Sequence, residues 1–407
     1  MSGRFDGRRP VRVLYSFPDG LGAPGIGTTA HRQVEGLIGL GLEVSVICTS
    51  LKRELPGARR ITTTLTAGGR RIPHRALGPG DRAYRYHDLR VAHALRGLAG
   101  EIDVVHVWPR AALATARTAR ELGIVSVREA PNTHTAYAYE AVAKENELLG
   151  LSQPAGHSHT FDAARLRREE AEYDAVDVIL CQSEFTRGTF IERGIPAEKV
   201  AIHQNGADMS RFQADVGVRP TDKPLTVLFA GRCEPRKGLH YALRAWVESG
   251  VGDRGGRFLI CGEYVEGYRE VLERWLTHPS VEDLGYVSDL SGLMRGADIF
   301  ILPSVEEGSA LVTYEAQASG CVLVVSDATG ARCEHMETGL VHAARDVDGL
   351  TSHLRLLEEE PMLLARLRGA TLARLDELTW ARSVEQQADV YAAALAAGGR
   401  SLDVARA

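Results

Sequence analysis

Short, nearly continuous apolar runs recur along the chain: VRVLYSF (11–17), EVSVICTS (43–50), DVVHVW (103–108), VSVREA (125–130) and VDVILCQS (176–183). After a break the rhythm resumes with LTVLFAG (225–231), RFLICG (257–262), DIFILPS (298–304) and CVLVVSD (321–327). Runs of this kind suit strands buried on both faces. Between them lie segments with apolar residues at helical spacing, such as TTAHRQVEGLIGLG (28–41), ARTARELG (116–123) and the long stretch 136–150. Strand and helix alternating in this way predict parallel sheets covered by helices, an α/β fold. QADVGVRPTDKP (213–224) has no periodicity and reads as a linker. The chain therefore divides into two Rossmann-like domains, 1–212 and 213–379, facing each other across a cleft. The final helical segment, 380–407, has no strand after it and is expected to pack back on the first domain.

Composition changes this picture little. The 407 residues suit two domains, and 25% charged with 44% hydrophobic residues is ordinary for a soluble protein. A net charge of −5 argues against nucleic acid as a partner. No apolar run reaches the roughly 18 residues of a membrane span. MSGRFDGRRP lacks the apolar stretch of a signal peptide behind it. The six cysteines, at 48, 181, 233, 261, 321 and 333, show no metal spacing and read as reduced thiols in a cytoplasmic protein. From Lys52 and Arg53 to Arg96 the chain is strongly basic, opposed only by Glu54, Asp81 and Asp88. It reads as a solvated surface, with a peripheral contact to a membrane or an anionic acceptor as the alternative.

Three segments carry candidate chemistry. GAPGIGTTA (22–30) places Gly25 and Gly27 between a strand and a helix, where backbone amides can meet a phosphate. It approximates a dinucleotide fingerprint, but the second strand ends VICTS without the acid that would hold a ribose, which excludes a nicotinamide or flavin reading. EEGSALVTYEAQASG (306–320) follows another strand. Amides from Gly308 through Ser309 and Ala310 to Leu311 could bind a diphosphate, and Glu307 and Glu315 could each grip a diol. Glu315 is expected about two turns into the helix, with capping by Glu307 and Ser309 as the plainer reading. In FAGRCEPRKGLHYALRAW (229–246), Arg232 and Lys237 could neutralise the same diphosphate.

Taken together, these segments resemble the retaining glycosyltransferases of family 4, which have the GT-B fold. The carriers are Gly231-Arg232, Lys237-Gly238, Gly285-Tyr286-Val287, Pro303-Ser304, Glu307-Gly308 and Glu315-Ala316. In the first half they are Gly25 and Gly27, APNTH ending at His134, and 177–208. The resemblance implies that Arg232 and Lys237 hold the donor diphosphate, and that Glu307 contacts the transferred sugar at the reacting carbon. It gives amides to Gly308, Ser309, Ala310 and Leu311, the ribose to Glu315, and a place beside the donor to Val287. Gly25 and Gly27 would approach the diphosphate and the acceptor, and His134 would bond a sugar hydroxyl. Glu307, His134, Arg232 and Lys237 form the implied catalytic group, with no metal and no cofactor. The chain departs from the family in Ala23-Pro24, where many members have Gly-Gly, and in the reversed order of Arg128 and Glu129.

The function so implied is transfer of a sugar from a nucleoside diphosphate, UDP ahead of GDP, to a hydroxyl of a small molecule, glycan or lipid. Cell-envelope or secondary-metabolite biosynthesis is the expected setting. A nucleotide-sugar epimerase and a non-catalytic sugar-nucleotide module are the alternatives. DVD (346–348) reads as a helix cap, and HSH (157–159) as surface.

Overall fold

The structure is a computed structural model that describes residues 10–68, 70–78, 80–153, 157–214 and 223–398. Most of the predicted linker, 215–222, lies outside them. The first half contains β1 (Arg12–Leu21), β2 (Glu43–Leu51), β3 (Arg60–Thr63), the small hairpin β4 (Thr66–Ala67) and β5 (Arg70–Arg71), β6 (Val104–Val107), β7 (Val125–Ala130), β8 (Val178–Cys181) and β9 (Val200–Ile202). Apart from the hairpin these strands form one parallel sheet in the order β3-β2-β1-β6-β7-β8-β9. The second half contains β10 (Thr226–Ala230), β11 (Arg257–Cys261), β12 (Val281–Asp283), β13 (Ile299–Leu302), β14 (Val322–Ser326) and β15 (Gly339–His342). They form a second parallel sheet, β12-β11-β10-β13-β14-β15. Every apolar run singled out in the sequence is one of these strands.

Both sheets share one design. The order reverses at the first strand, so the helices on either side of β1 and of β10 leave in opposite directions and open a crevice at the strands' carboxyl ends. The first sheet is buried on both faces. One face packs Tyr15, Val34, Trp108, Val384 and Tyr391; the other packs Leu14, Val105, Tyr173 and Phe190. The second has a core of its own around Phe229, Trp246, Phe258 and Leu323.

β1 runs past the expected end at Phe17. Its pairing with β2 slips between Phe17 and Gly20 and then resumes to Leu21. The slip accommodates Pro18, which cannot donate to the ladder. Asp19 thereby sits at the strand's carboxyl end, and the glycine loop is a tight turn from Gly22 to Gly25.

The two domains touch where the chain passes between them. Ala207 N donates to the Leu378 carbonyl at 2.8 Å, next to the bridge pairing Ala207 with Thr379. The last helix, Trp380–Ala397, then crosses back to the first sheet, where the Tyr391 hydroxyl meets His106 Nδ1 at 2.8 Å. Across the gap the helix Thr135–Leu148 supplies Glu145, which meets His240 Nε2 at 2.9 Å and Arg345 Nε at 2.8 Å. Among the described residues, no helix is long and apolar enough to cross a membrane.

Candidate active site

β13 delivers the chain into the loop 303–310, and the helix Leu311–Ala318 follows. After β10 the chain makes a 3-10 turn, Pro235–Lys237, that lies against this loop: Val305 N donates to the Arg236 carbonyl at 2.8 Å. The turn ends on Gly238 at φ 71°, where a Cβ would come within 2.0 Å of the Pro303 carbonyl. Only glycine allows that approach, which sets Lys237 beside Glu307.

A dense cluster of charge results. Arg236 Nη1 reaches Glu307 at 3.1 Å, the Glu306 carboxylate at 3.3 Å and the Glu306 carbonyl at 2.8 Å; its Nη2 donates to Glu234 at 2.8 Å. Lys237 Nζ pairs with the other oxygen of Glu307. Burial pushes the Glu307 carboxyl up, but Arg236 and Lys237 outweigh it and hold the group below the usual carboxylate value. Glu307 is thus an ionised carboxylate with its two cations already in place.

Glu315 has a different setting. It is the fifth residue of its helix, little more than one turn in, because Ser309 and Ala310 precede the helix instead of opening it. No side chain caps this helix: Ser309 Oγ is spent on the Gly330 carbonyl at 2.9 Å and the Tyr314 hydroxyl at 2.9 Å. Of the amides expected to meet a diphosphate, Ala310 N is engaged by the Thr329 carbonyl at 3.4 Å. Burial raises the Glu315 carboxyl to about 7, opposed only by Arg211. Arg211 in turn donates to the Ser288 carbonyl at 3.2 Å, so Val287 borders the same region.

The first domain closes over the loop. Thr133 Oγ1 donates to Glu306 at 2.6 Å, and Ser183 and Thr186 donate to the Gly308 carbonyl at 2.5 and 2.8 Å. A Cβ on Gly308 would stand 1.9 Å from the Pro131 carbonyl. Gly308 is therefore also a point of close contact between the two domains. Gly25, exposed at φ 77°, precedes the helix Ile26–Gly39, which has no side-chain cap either, and Gly27 lies buried in its first turn. Ile26, between the two glycines, lines the same cavity as Thr133 and His159.

The other residues singled out in the sequence have settings of their own. Arg232 is exposed and none of the described acids pairs with it; the buried cation is Arg236, which the spacing did not single out. His134 caps the helix Thr135–Leu148 through Nδ1, at 3.2 Å from Ala136 N, and sits between Tyr173 and Phe190. Burial lowers its pKa to about 4, so it is a neutral, engaged side chain. HSH is not surface. His157 Nε2 meets Glu234 at 3.0 Å and His159 Nε2 lies 3.6 Å from Glu306, because their loop folds across the domain gap. Neighbours on β7 part company by alternation: Arg128 turns to Glu169 and Glu172, while Glu129 meets His203 at 2.8 Å and Gln182 at 3.0 Å. Asp346 caps its helix, accepting from Gly349 N at 2.9 Å. In the basic region Arg59 is answered by Glu43 and Glu101, each at 3.1 Å, and Arg96 by Glu121 at 3.3 Å, all distant in sequence.

Comparison with known proteins accords with this geometry. Residues 24–211 match the profile described as Glycosyltransferase Family 4, and residues 224–360 the one described as Glycosyl transferases group 1. A glycogen synthase of Mycobacterium tuberculosis is 29% identical over 204 residues, 48% of this chain and 49% of its own. The chain spans about half the length of the curated relatives it matches. Sucrose-phosphate synthase from Thermosynechococcus elongatus superposes with a TM-score of 0.67 at 18% identity, over 96% of this chain and 100% of that one. Anabaena Alr3699/HepE in complex with UDP does so with a TM-score of 0.65 at 16% identity, over 94% and 100%. Such identities speak for the fold alone, two Rossmann-like domains in the GT-B arrangement. With both halves matched in the order of its two sheets, the chain belongs to the family 4 glycosyltransferases.

Proposed function

We propose that this chain moves a sugar from a nucleoside diphosphate to an acceptor hydroxyl and retains the anomeric configuration. The observation that carries this reading is the grouping of Glu307, Lys237 and Glu315 around one uncapped helix start. Lys237, the exposed Arg232 and the amides of Gly308, Ser309 and Leu311 receive the diphosphate. Glu315, to which no cation of the described residues is bonded, receives the ribose hydroxyls. Glu307 faces the transferred sugar. UDP is favoured over GDP, in keeping with the UDP held by the Anabaena protein.

In this reading the bond from the anomeric carbon to the diphosphate oxygen breaks while the acceptor oxygen bonds that carbon on the same face. The acceptor proton passes to the departing phosphate oxygen. The protein contributes placement and charge: Lys237 and Arg232 stabilise the leaving group, and Glu307 the positive character at the carbon. No metal or cofactor is called upon, and the setting is cytoplasmic synthesis of envelope or secondary metabolites.

Nucleotide release from UDP-sugars tests the reading, measured with and without a panel of hydroxylated acceptors. Release that depends on an acceptor, with an α-linked product from an α-linked donor, is expected. Conversion of the donor without acceptor would indicate an epimerase, and binding without turnover a sugar-nucleotide module; either overturns it.

A further inference from the structure

The first domain holds a cavity of ≈ 200 Å³ at the carboxyl ends of β1, β6 and β7. This is the crevice where the strand order reverses, the usual ligand position in such a sheet. It abuts the charged loop, since Thr133 lines it and bonds Glu306. Drug-sized ligands occupy about 300–1,000 Å³, so this space suits a single ring. Trp108, Tyr139 and Tyr173 give it aromatic walls.

Its charges are arranged unevenly. Each guanidinium on the wall is already answered: Arg128 by Glu169 at 3.0 Å and Glu172 at 3.1 Å, Arg165 by Glu169 at 2.7 Å, Arg110 Nε by Asp81 at 2.9 Å. Asp19 is the exception among the carboxylates. Its contacts are the Tyr84 hydroxyl at 3.3 Å and, loosely, His74 Nε2 at 3.8 Å, and that buried His74 nitrogen has no hydrogen-bond partner. Burial raises the Asp19 carboxyl, opposed by His74 and the Tyr84 hydroxyl, and lowers His74. Among the described residues, a wall whose guanidiniums are all paired, with the Asp19 carboxylate under-used and the Tyr139 hydroxyl without a hydrogen-bond partner, disfavours anions and welcomes hydroxyl groups.

We infer that this cavity seats an uncharged polyhydroxylated ring, a sugar or cyclitol, one of whose hydroxyls donates to the Asp19 carboxylate. That this ring is the acceptor rests on the transferase reading; that the cavity binds it does not. A phosphorylated ring is disfavoured, because its phosphate would face Asp19 while the guanidiniums of Arg110, Arg128 and Arg165 are already engaged by carboxylates.

The test is calorimetric titration of the full chain and of Asp19→Asn with myo-inositol, methyl glucoside and glucose 6-phosphate, and with UDP in the same preparations. An uncharged ring should bind the unmodified chain and bind Asp19→Asn about tenfold or more weakly, the scale of one lost hydrogen bond to a charged group. UDP should bind both proteins alike, which also shows that the variant is folded. Preference for glucose 6-phosphate, failure of both uncharged rings to bind, or equal ring affinity in the variant overturns the inference. Ring binding without UDP binding would sink the donor reading and leave this one standing.

Discussion

Glu307 and Glu315 lie eight residues apart and are both largely buried, yet they are opposite in state. Glu307 is gripped by Arg236 and Lys237 and held below the usual carboxylate value. Among the described residues no cation is bonded to Glu315, which burial raises to about 7. The loop carboxylate is preorganised as a charge, the property needed beside a carbon that becomes positive. The helix carboxylate is costly until a ligand offers it hydrogen bonds. One segment thus holds a charge compensated by protein and another that, in the proposed reading, substrate would compensate.

The sharpest way to break the contrast is to remove the cation on the compensated side. Arg236→Ala leaves Glu234, Glu306 and Glu307 without their shared partner and should cost about 3–5 kcal/mol, read as a fall in the denaturation midpoint. Glu307→Gln keeps the shape and removes the charge. Turnover should fall about 10²–10³-fold with UDP affinity little changed, measured by nucleotide release. On the other side, Glu315→Ala should weaken UDP by about 1–3 kcal/mol while the fold persists.

Acidity sharpens the comparison further. The folded value of Glu315 lies above its ordinary value, so its ionisation opposes folding: the cost is absent in acid, grows as pH rises towards 7, and is complete above it. Glu315→Gln should therefore raise the melting temperature at pH 8 and leave it unchanged at pH 4. UDP affinity of the unmodified chain should strengthen from pH 6 to pH 8 more than that of Glu315→Gln, since only the carboxylate accepts two hydroxyls. The smallest effect belongs to Arg232→Ala. An exposed cation with no paired acid should change stability by less than about 0.5 kcal/mol, while UDP affinity falls.

What the sequence disclosed follows from the same physics. Interior strands such as VLFA and VLVV are apolar throughout because both faces are covered, and they stood out at once. The strands that escaped notice, β3, β9, β12 and β15, are the four edges of the two sheets. RITT, VAI, VED and GLVH are short, and none holds more than three apolar residues in a row. Pro18 marked a strand end in the sequence, whereas a slip in register lets β1 continue and carries Asp19 into the cavity.

The site divides similarly. Glu307, Glu315 and Lys237 were legible because they lie on one loop, one helix and one turn at fixed spacing. Arg236, His157 and His159 were not, because their partners come from the other end of a loop or from across the domain gap. His157 finds Glu234, 77 residues away, and Arg236 finds Glu306, 70 residues away. His134 uses Nδ1 at its own helix start, a second role that its sequence neighbours did not disclose.

The central claim is that Glu315 awaits a nucleotide ribose. Calorimetric titration of UDP into the unmodified chain and into Glu315→Ala tests it most directly. The account predicts saturable binding of UDP that weakens by about 1–3 kcal/mol in the variant. UDP that fails to bind, or that binds Glu315→Ala with equal affinity, would contradict it.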